Sequence, residues 1–361
     1  AQEGVAGHRR VVARRGAGYE AEVALEGRFG ELEVRGRADG YAPEANCLEE
    51  IKTHRGDLAN QPDNHRQLHW AQARIYGWLL CQQRNLATIN LALVYLDVDS
   101  DRETRFECTA SAAELQAFFD QLCQRFVHWA DQQSQRLAAR DNGLQALSFP
   151  WPAFRQGQRE LAETVYKAVS TGRCLMAQAT TGIGKTLGTL FPLLKAMARQ
   201  PLDKILFLTA KTPGRALALD AVRQVMAASP ELALRSLELV ARDKACEFPG
   251  TACHGDACPL AKGFYDRLPA ARDAAIRQPL LDKARVREVA LDHQVCPYYL
   301  AQELARWVDV LVADYNYYFD QSALLFGLAQ TDQWRLAVAV DEAHNLVAVS
   351  YTHLRAHETV L

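Results

Sequence analysis

The sequence predicts an α/β protein with two domains, residues 1–145 and residues 146–361. Two observations predict a parallel sheet in the second domain. An apolar run at 174–177, interpreted as a buried strand, precedes a loop containing glycine and an apolar helix at 187–197. A second continuous apolar run at 336–340 has the character of a strand that is buried on both faces and ends in acidic residues. Strand, loop and helix in this order are the setting that a phosphate-binding loop requires.

The loop after the first apolar run has the composition of a phosphate-binding loop. Its glycines let backbone N–H groups turn towards phosphate oxygens, and the following helix adds the positive end of its dipole. The lysine reaches the outer phosphates, and the threonine hydroxyl after it is a ligand for Mg²⁺. Alanine stands where the full pattern has its first glycine, so the loop is a variant. The predicted ATP-binding residues are Ala179, Thr180, Thr181, Gly182, Ile183, Gly184, Lys185 and Thr186.

Acidic residues follow the second apolar run in the order Asp341, Glu342, Ala343, His344. A carboxylate at the end of a buried parallel strand lies at the mouth of the sheet, where ligands bind. Asp341 is expected to hold Mg²⁺, and Glu342 to orient or deprotonate the attacking water. With Lys185 and His344 they form the predicted ATPase site, and the combination of loop and acidic motif predicts an NTPase.

The composition, with 49% hydrophobic and 23% charged residues, is that of an ordinary soluble protein, and 361 residues suffice for two or three domains. The net charge of −2 does not by itself indicate a nucleic-acid partner. No apolar run approaches the ~18 residues of a membrane span, so we expect a cytoplasmic protein without a membrane partner. The nine cysteines are then metal ligands or buried residues rather than disulfides. The chain does not begin with Met and stops soon after His344, and we expect it to be an N-terminal fragment.

Alternating patterns in the first domain predict a mixed sheet with flanking helices. Three polar residues of this domain are candidate catalytic or metal-binding residues: Asp39, Glu50 and Lys52. Residues two apart on a strand point the same way, so Glu50 and Lys52 share a face. Two carboxylates bind Mg²⁺ or Mn²⁺, and a lysine positions water or stabilises negative charge on a phosphate. The predicted strands are 19–25, 31–37, 47–53 and 89–98, and the predicted helices are 67–81 and 112–137.

This acid, acid-x-Lys arrangement resembles the PD-(D/E)xK nuclease fold in its RecB-like form. Gly36 to Asp39 is similar to the Gly-x-x-Asp of that family, and Gln72 with Tyr76 to its Gln-x-x-x-Tyr helix. Gly4 and His8 are similar to its first-helix Gly-x-x-x-His, which implies that His8 is a metal ligand. The resemblance implies a metal-dependent nuclease, although such domains also occur as inactive DNA-binding modules. The four cysteines of this domain are interpreted as small buried hydrophobic residues: Cys47, Cys81, Cys108 and Cys123.

Two further segments of the second domain suit nucleotide and DNA binding. Gln158 opens a helix after a Pro-rich junction, and in superfamily-two helicases a glutamine at this position reads the adenine edge. A buried strand at 204–210 ends in a loop with Thr209, Lys211 and Thr212. The loop resembles the single-strand-contacting motif of the same superfamily, since hydroxyls and a lysine suit phosphate contacts.

Four cysteines interrupt the pattern in an insertion at 242–300: Cys246, Cys253, Cys258 and Cys296. Four thiolates hold a structural zinc or an iron–sulfur cluster. Structural zinc usually shows close Cys-x-x-Cys pairs, which are missing here, and the looser spacing favours a 4Fe–4S cluster. Zinc, and four unrelated cysteines, remain alternatives.

The order of motifs closely resembles the iron–sulfur superfamily-two DNA helicases related to DinG and XPD, over residues 148–347. The order includes Cys296 to Tyr299 and the aromatic run Tyr315 to Tyr318. The resemblance implies a RecA-like domain with a 4Fe–4S cluster at the point where the duplex is parted. It also implies ATP-driven 5′ to 3′ movement on single-stranded or forked DNA in repair or replication.

The sequence departs from that family in lacking a second RecA-like domain, and its tail at 349–361 does not have the expected helical pattern. We therefore expect weak ATP binding and little turnover from this chain. Two alternative functions stay open. One is a helicase whose nuclease-like domain grips DNA without cutting it. The other is a zinc-containing ATPase that remodels RNA or protein.

Overall fold

The computed structural model describes residues 2–61, 63–320 and 322–346, which divide into two compact units, 1–133 and 134–361. The division falls inside a long helix, whereas the predicted domain boundary is at 145. The tail at 349–361 lies outside the described residues. None of the helices in the described ranges has the length and hydropathy of a membrane span.

The first unit is a five-stranded sheet with the strands in sequence order, flanked by helices. β3 and β4 are parallel, and the other neighbouring pairs are antiparallel. The elements are α1 (Gln2–Ala13), β1 (Glu20–Phe29), β2 (Leu32–Ala42), β3 (Cys47–His54), a 3-10 turn (Leu58–Asn60), α2 (Asp63–Arg84), β4 (Thr88–Asp97), β5 (Glu103–Ser111) and α3 (Ala112–Ala146).

β4 lies between β3 and β5 and is buried on both faces. Leu91 and Leu93 pack with residues of α2 and α3, whereas Ala92 and Val94 pack with Val11 of α1. The alternation of side chains along a strand therefore gives the sheet two apolar layers. Glu50 and Lys52 alternate with Ile51, which packs in the α1 layer, so both point to the α2 side.

Three sequence predictions for this unit are corrected. Asp39, expected after the second strand, lies inside β2. β5 was not predicted, and α3 runs through the polar segment that was expected to be a junction. Packing explains the last difference, since Leu144 is completely buried and Gly143 lies close to Leu232.

The second unit has a five-stranded sheet in the order β10-β6-β9-β7-β8, with all neighbouring pairs parallel. Its strands are β6 (Lys204–Thr209), β7 (Ser236–Glu238), β8 (Leu280–Leu281), β9 (Val310–Ala313) and β10 (Leu336–Asp341). Its further helices are α4 (Gln158–Ser170), α5 (Lys185–Met197), α6 (Thr212–Ala228), α7 (Arg242–Ala245), α8 (Phe264–Ala275), α9 (Lys283–Asp292), α10 (Pro297–Leu304) and α11 (Leu324–Thr331), with 3-10 turns at Tyr315–Tyr317 and Ala343–Asn345.

β6 lies between β10 and β9, and all six of its residues are buried. Ile205 and Phe207 pack on the side of α5 and α6, and Leu206 and Leu208 pack on the side of α9 and α10. The carboxyl ends of β6 and β10 meet at one edge, where Thr209 pairs in register with Asp341. This edge is the place where open parallel sheets bind ligands.

The prediction of a buried strand at 174–177 is wrong. These residues form no strand, and Met176 is 93% exposed. Among the described residues, β10 consequently pairs only with β6, and Val338 is 36% exposed, so β10 is not buried on both faces as predicted. A run of four apolar residues supplies few ladder hydrogen bonds, and its pattern alone does not specify a partner strand.

Candidate functional site

The phosphate-loop residues lie at the start of α5, with Gly184 as the residue that precedes the helix. Gly184 has φ +81°, and a Cβ there would meet Nε2 of Gln158 at 2.4 Å. Both the left-handed backbone and the close approach therefore require glycine at this position. Lys185 and Thr186 follow in the first turn, where backbone N–H groups are available to an anion.

Lys185 and the acidic motif meet across the site. Nζ of Lys185 lies 3.2 Å from Oε1 of Glu342, and Nδ1 of His344 lies 3.4 Å from Oε2 of the same carboxylate. The hydrogen bond and charge of Lys185 lower the pKa of Glu342, while burial and the Glu342 charge raise the pKa of Asp341. The residues predicted for phosphate binding and for water activation are thus brought together by α5 and β10.

Gln158 and Arg155 hold the backbone of the phosphate loop. Gln158, only 3% exposed, donates from Nε2 to the Gly184 carbonyl at 3.0 Å. Arg155 donates from Nη1 to the Gly182 carbonyl at 2.8 Å. Arg155 itself lies before α4, which begins at Gln158. The adenine-reading role of Gln158 stays a prediction.

The predicted DNA-contacting residues flank the same edge of the sheet. Thr209 is buried at the end of β6, and Lys211 precedes α6 with an exposed side chain. Thr212 is exposed and accepts a hydrogen bond from Arg215 at 3.2 Å. Lys211 and Thr212 therefore present a cation and a hydroxyl to solvent beside the acidic motif, as phosphate binding requires.

The four cysteines of the insertion are free and come from different local elements. Cys246 follows α7, Cys253 and Cys258 lie in irregular chain, and Cys296 precedes α10. Burial raises the pKa of Cys296, the backbone N–H groups of Tyr299 and Tyr298 oppose that shift, and Cys246 and Cys258 lie near enough to add to it. Within the described ranges, no three His, Cys, Asp or Glu side chains are gathered closely enough to hold a metal ion.

The predicted nuclease residues lie close to one another at the first sheet, although α1 and α2 pack on its opposite faces. His8 of α1 lies 3.2 Å from Asp39 of β2, measured from Nδ1 to Oδ1, and Asp39 accepts a hydrogen bond from the Ile51 N–H at 2.7 Å. Lys52 contacts the Glu50 carboxylate and lies 3.3 Å from Oε1 of Gln72 on α2. The helices α1 and α2 and the strands β2 and β3 thus all contribute side chains to one polar cluster.

Glu50 is the residue of this cluster that best suits a cation. Its side chain is completely buried, and its Oε2 has no hydrogen-bond partner in the described structure. Burial, with the neighbouring Asp39 charge, raises the pKa of Glu50 to about 7. Hydrogen bonding to Asp39 raises the pKa of His8. A divalent cation would favour the ionised carboxylate, so the donor chemistry fits Mg²⁺ or Mn²⁺ although the side chains are not gathered around a common point.

The glycine and tyrosine of the resembling motifs pack against each other. A Cβ at Gly36 would lie 2.5 Å from Cε1 of Tyr76, so glycine lets the α2 tyrosine rest on β2. This contact fixes α2, and with it Gln72, over the strands that carry Asp39 and Glu50. The role of Tyr76 in this structure is therefore packing.

Sequence reasoning missed His69 and Tyr95, which adjoin the same cluster. Nδ1 of His69 lies 2.8 Å from the Tyr95 hydroxyl, and Tyr95 is the register partner of Lys52. Burial, with the Lys52 charge, lowers the pKa of His69 to about 4. His69 precedes Gln72 by one helical turn, and this i, i+3 spacing was the available signal.

Comparisons with known proteins match the second unit. Residues 202–356 match the family model DEAD_2, and residues 156–246 match the model DEAD/DEAH box helicase. A stretch of 129 residues, 32% of this chain, is 30% identical to the "Regulator of telomere elongation helicase 1 homolog" of Anopheles gambiae. A stretch of 61 residues, 17% of the chain, is 38% identical to the "Probable ATP-dependent helicase MJ0942" of Methanocaldococcus jannaschii.

The chain spans only a small part of these curated relatives, 13% and 9% of their lengths. A solved structure titled "Truncated XPD" is 19% identical with a TM-score of 0.33, over 52% of this chain and 52% of that one. The two family models overlap and together reach from residue 156 to residue 356. This part of the chain is therefore similar to DEAD/DEAH-box helicase domains, and its described residues have an α/β fold.

Proposed function

We propose that this chain is part of an ATP-dependent DNA helicase with a 4Fe–4S cluster, which moves 5′ to 3′ on single-stranded or forked DNA in repair or replication. The observation that carries the ATPase part is the 3.2 Å contact between Lys185 and Glu342. It joins a phosphate loop to an acidic motif at the carboxyl edge of a parallel sheet. The helicase family matches over the same residues support the DNA-motor part.

In the proposed ATPase, each residue has a separate task. Lys185 leaves Glu342 for the outer phosphates when ATP binds, because a triphosphate offers it more negative charge. Glu342 is then free to orient the attacking water. Thr186 and Asp341 would hold Mg²⁺, which would supply Lewis-acid stabilisation of phosphate charge when bound. Arg155 and Gln158 keep the loop backbone in place through the carbonyls of Gly182 and Gly184.

Replacing Lys185 with alanine is expected to weaken ATP binding by about tenfold or more, because a charged hydrogen bond to phosphate contributes ~1.5–3 kcal/mol. The measurement is titration of the full chain with a fluorescent ATP analogue and Mg²⁺. Lys167→Ala, an exposed lysine of α4, is the matched control and should bind as the unsubstituted chain does. Equal affinity of the Lys185→Ala chain would remove Lys185 from the nucleotide site.

The cluster is proposed for Cys246, Cys253, Cys258 and Cys296. Three observations support this ligand set. All four cysteines lie in the one insertion and all four are free thiols. The backbone N–H groups at the start of α10 point at the Cys296 sulfur. Hydrogen bonds to sulfur are a general feature of iron–sulfur ligands. The four-cysteine donor set fits the cluster chemically, whereas the side chains are not assembled around it in this structure.

Protein purified without oxygen is expected to contain about four iron atoms and four acid-labile sulfides per chain. Cys296→Ser should lower both contents, whereas Cys123→Ser, a buried cysteine of the first unit, should leave them unchanged. Zinc without sulfide in the unsubstituted chain would contradict the cluster. That result would favour the alternative, a zinc-containing ATPase acting on RNA or protein.

We also propose that residues 1–145 form a Mg²⁺- or Mn²⁺-dependent deoxyribonuclease domain. The observation in its favour is the convergence of His8, Asp39, Glu50, Lys52 and Gln72, with a buried carboxylate oxygen of Glu50 left without a partner in the described structure. The rival function is a DNA grip without cleavage. Substitution of Lys52 distinguishes the two functions, because only a nuclease would lose cleavage activity.

A further inference from the structure

A buried group of charged residues lies at the amino-terminal edge of the second sheet, away from the proposed ATP site. Lys204 begins β6, and Arg235 and Asp309 immediately precede β7 and β9. Arg136 and Arg140 reach this edge from α3. β6 spans six residues, so its two ends are about 16 Å apart at the usual rise per residue. The group is therefore distinct from the edge that carries Thr209 and Asp341.

Asp309 is the carboxylate around which this group is arranged, and it is only 2% exposed. Its Oδ2 accepts from Nη1 of Arg136 at 2.9 Å and from the Arg235 backbone N–H at 2.9 Å. Its Oδ1 accepts from Nη1 of Arg140 at 2.8 Å and from Nη2 of Arg136 at 3.3 Å. Both oxygens are thus already used by donors of three residues.

The cations outnumber this carboxylate. Lys204, 5% exposed, donates to the carbonyls of Arg306 and Val308 at 3.0 and 2.6 Å, which are uncharged partners. Arg140 has a second carboxylate, Asp141, with Nε to Oδ1 at 2.8 Å. Arg235 has no such ion pair among the described residues, since Asp309 accepts its backbone N–H rather than its guanidinium.

Two guanidinium nitrogens in this group are buried without a hydrogen-bond partner in the described structure: Nη1 of Arg235 and Nε of Arg136. A buried charged donor that stays unpaired is costly, and proteins usually pair it. Burial, with the nearby charge of Arg136, lowers the pKa of Arg235 to about 10, while Asp309 opposes this. Additional negative charge is therefore what this position lacks.

We propose that Arg235 and Arg136 bind a small inorganic oxyanion, phosphate or sulfate, at this edge of the helicase domain. A tetrahedral oxyanion presents several acceptors and is matched by the planar donors of guanidinium. Arg136 is 15% exposed at its side chain and Arg235 is partly exposed, so both side chains extend to the protein surface beside their buried nitrogens. Arg140, Lys204 and Asp309 form the buried base of the site.

The test is thermal unfolding of the full chain with increasing sodium phosphate, with ionic strength held constant by sodium gluconate. The unfolding midpoint is expected to rise by about 5–11 °C once phosphate is ~100-fold above its half-saturating concentration. Arg235→Leu should lose this shift, because it removes the guanidinium and keeps the backbone N–H to Asp309. Arg335→Leu, an exposed arginine paired with Asp203, is the matched control and should keep the shift.

Lys185→Ala distinguishes phosphate binding at this site from phosphate binding at the phosphate loop, which also favours phosphate. The proposal expects the shift to persist in Lys185→Ala, and its loss there would overturn the proposal. A full shift in Arg235→Leu, or no shift in the unsubstituted chain, would equally overturn it. If the leucine variant does not fold, Arg235→Gln is tested in its place. The proposal expects its half-saturating phosphate concentration to be at least tenfold higher than that of the unsubstituted chain. An unchanged value in Arg235→Gln would contradict the proposal.

Discussion

Lys52→Ala is expected to reduce Mn²⁺-dependent cleavage of single-stranded DNA by about a hundredfold or more, in line with the loss of one preorganised donor at a developing negative charge. The Lys52 ammonium contacts Glu50 and lies 3.3 Å from Gln72, so it is held at the carboxylate where the cation is proposed. Alanine removes the charge and leaves β3 intact. The measurement is gel analysis of end-labelled single-stranded DNA incubated with the full chain and Mn²⁺.

Lysine at this position is itself informative. Lys52 is the sole lysine among residues 1–133, where the other long cations are arginines. Lysine carries a compact charge that positions water or phosphate, whereas arginine presents a broad planar fork. Lys52→Arg, which keeps the charge, should therefore restore less than a tenth of the cleavage.

The control for this experiment is Arg37→Ala, which removes a cation of β2 that is 67% exposed at its side chain. Its cleavage should match that of the unsubstituted chain. Equal cleavage by Lys52→Ala would point to a contaminating nuclease or to a different site. DNA binding without cleavage in every variant would support the rival function, a domain that only grips DNA.

The polar cluster around Glu50, proposed as a nuclease site, shows which contacts the sequence could predict. Glu50 and Lys52 are two residues apart on a strand, and strand geometry alone predicted their common face. The convergence of His8 and Asp39 was implied by a resemblance and is present as a 3.2 Å contact. His69 and Tyr95 were missed because their contact depends on the pairing of β3 with β4 and on the placement of α2, which no local pattern encodes.

The region around the phosphate loop shows both a prediction that the sequence could support and one that it could not. The sequence predicted an apolar helix at 187–197 directly after the loop, and that helix is confirmed as α5, which begins at Lys185. The strand before the loop is absent, because an apolar run of four residues is consistent with a strand but does not specify its partner. The same limit applies to β10, where Val338 was expected to be covered and is 36% exposed. Local backbone requirements are therefore predictable, whereas the pairing of short strands is not.

Asp309→Ala is expected to lower the free energy of unfolding of the second unit by about 3–5 kcal/mol, because it leaves buried cations without their carboxylate. Arg140 is 5% exposed, so its guanidinium cannot regain water without repacking α3 against the sheet, and Arg136 loses the carboxylate to which both of its Nη atoms are bonded. The measurement is hydrogen exchange of the β6 and β9 amides in increasing denaturant.

The control for Asp309 is Glu163→Ala, which breaks an exposed i, i+4 pair with Arg159 on α4. Exposed pairs of this kind contribute about 0.3–0.5 kcal/mol, so the control should hardly move the same amides. Asp309→Asn separates charge from shape, since asparagine keeps an acceptor for the Arg235 N–H and loses the negative charge. A loss in Asp309→Asn close to that of alanine would show that charge dominates. A loss below about 1 kcal/mol in both variants would contradict the ion-pair argument, because it would mean that the buried arginines do not depend on this carboxylate.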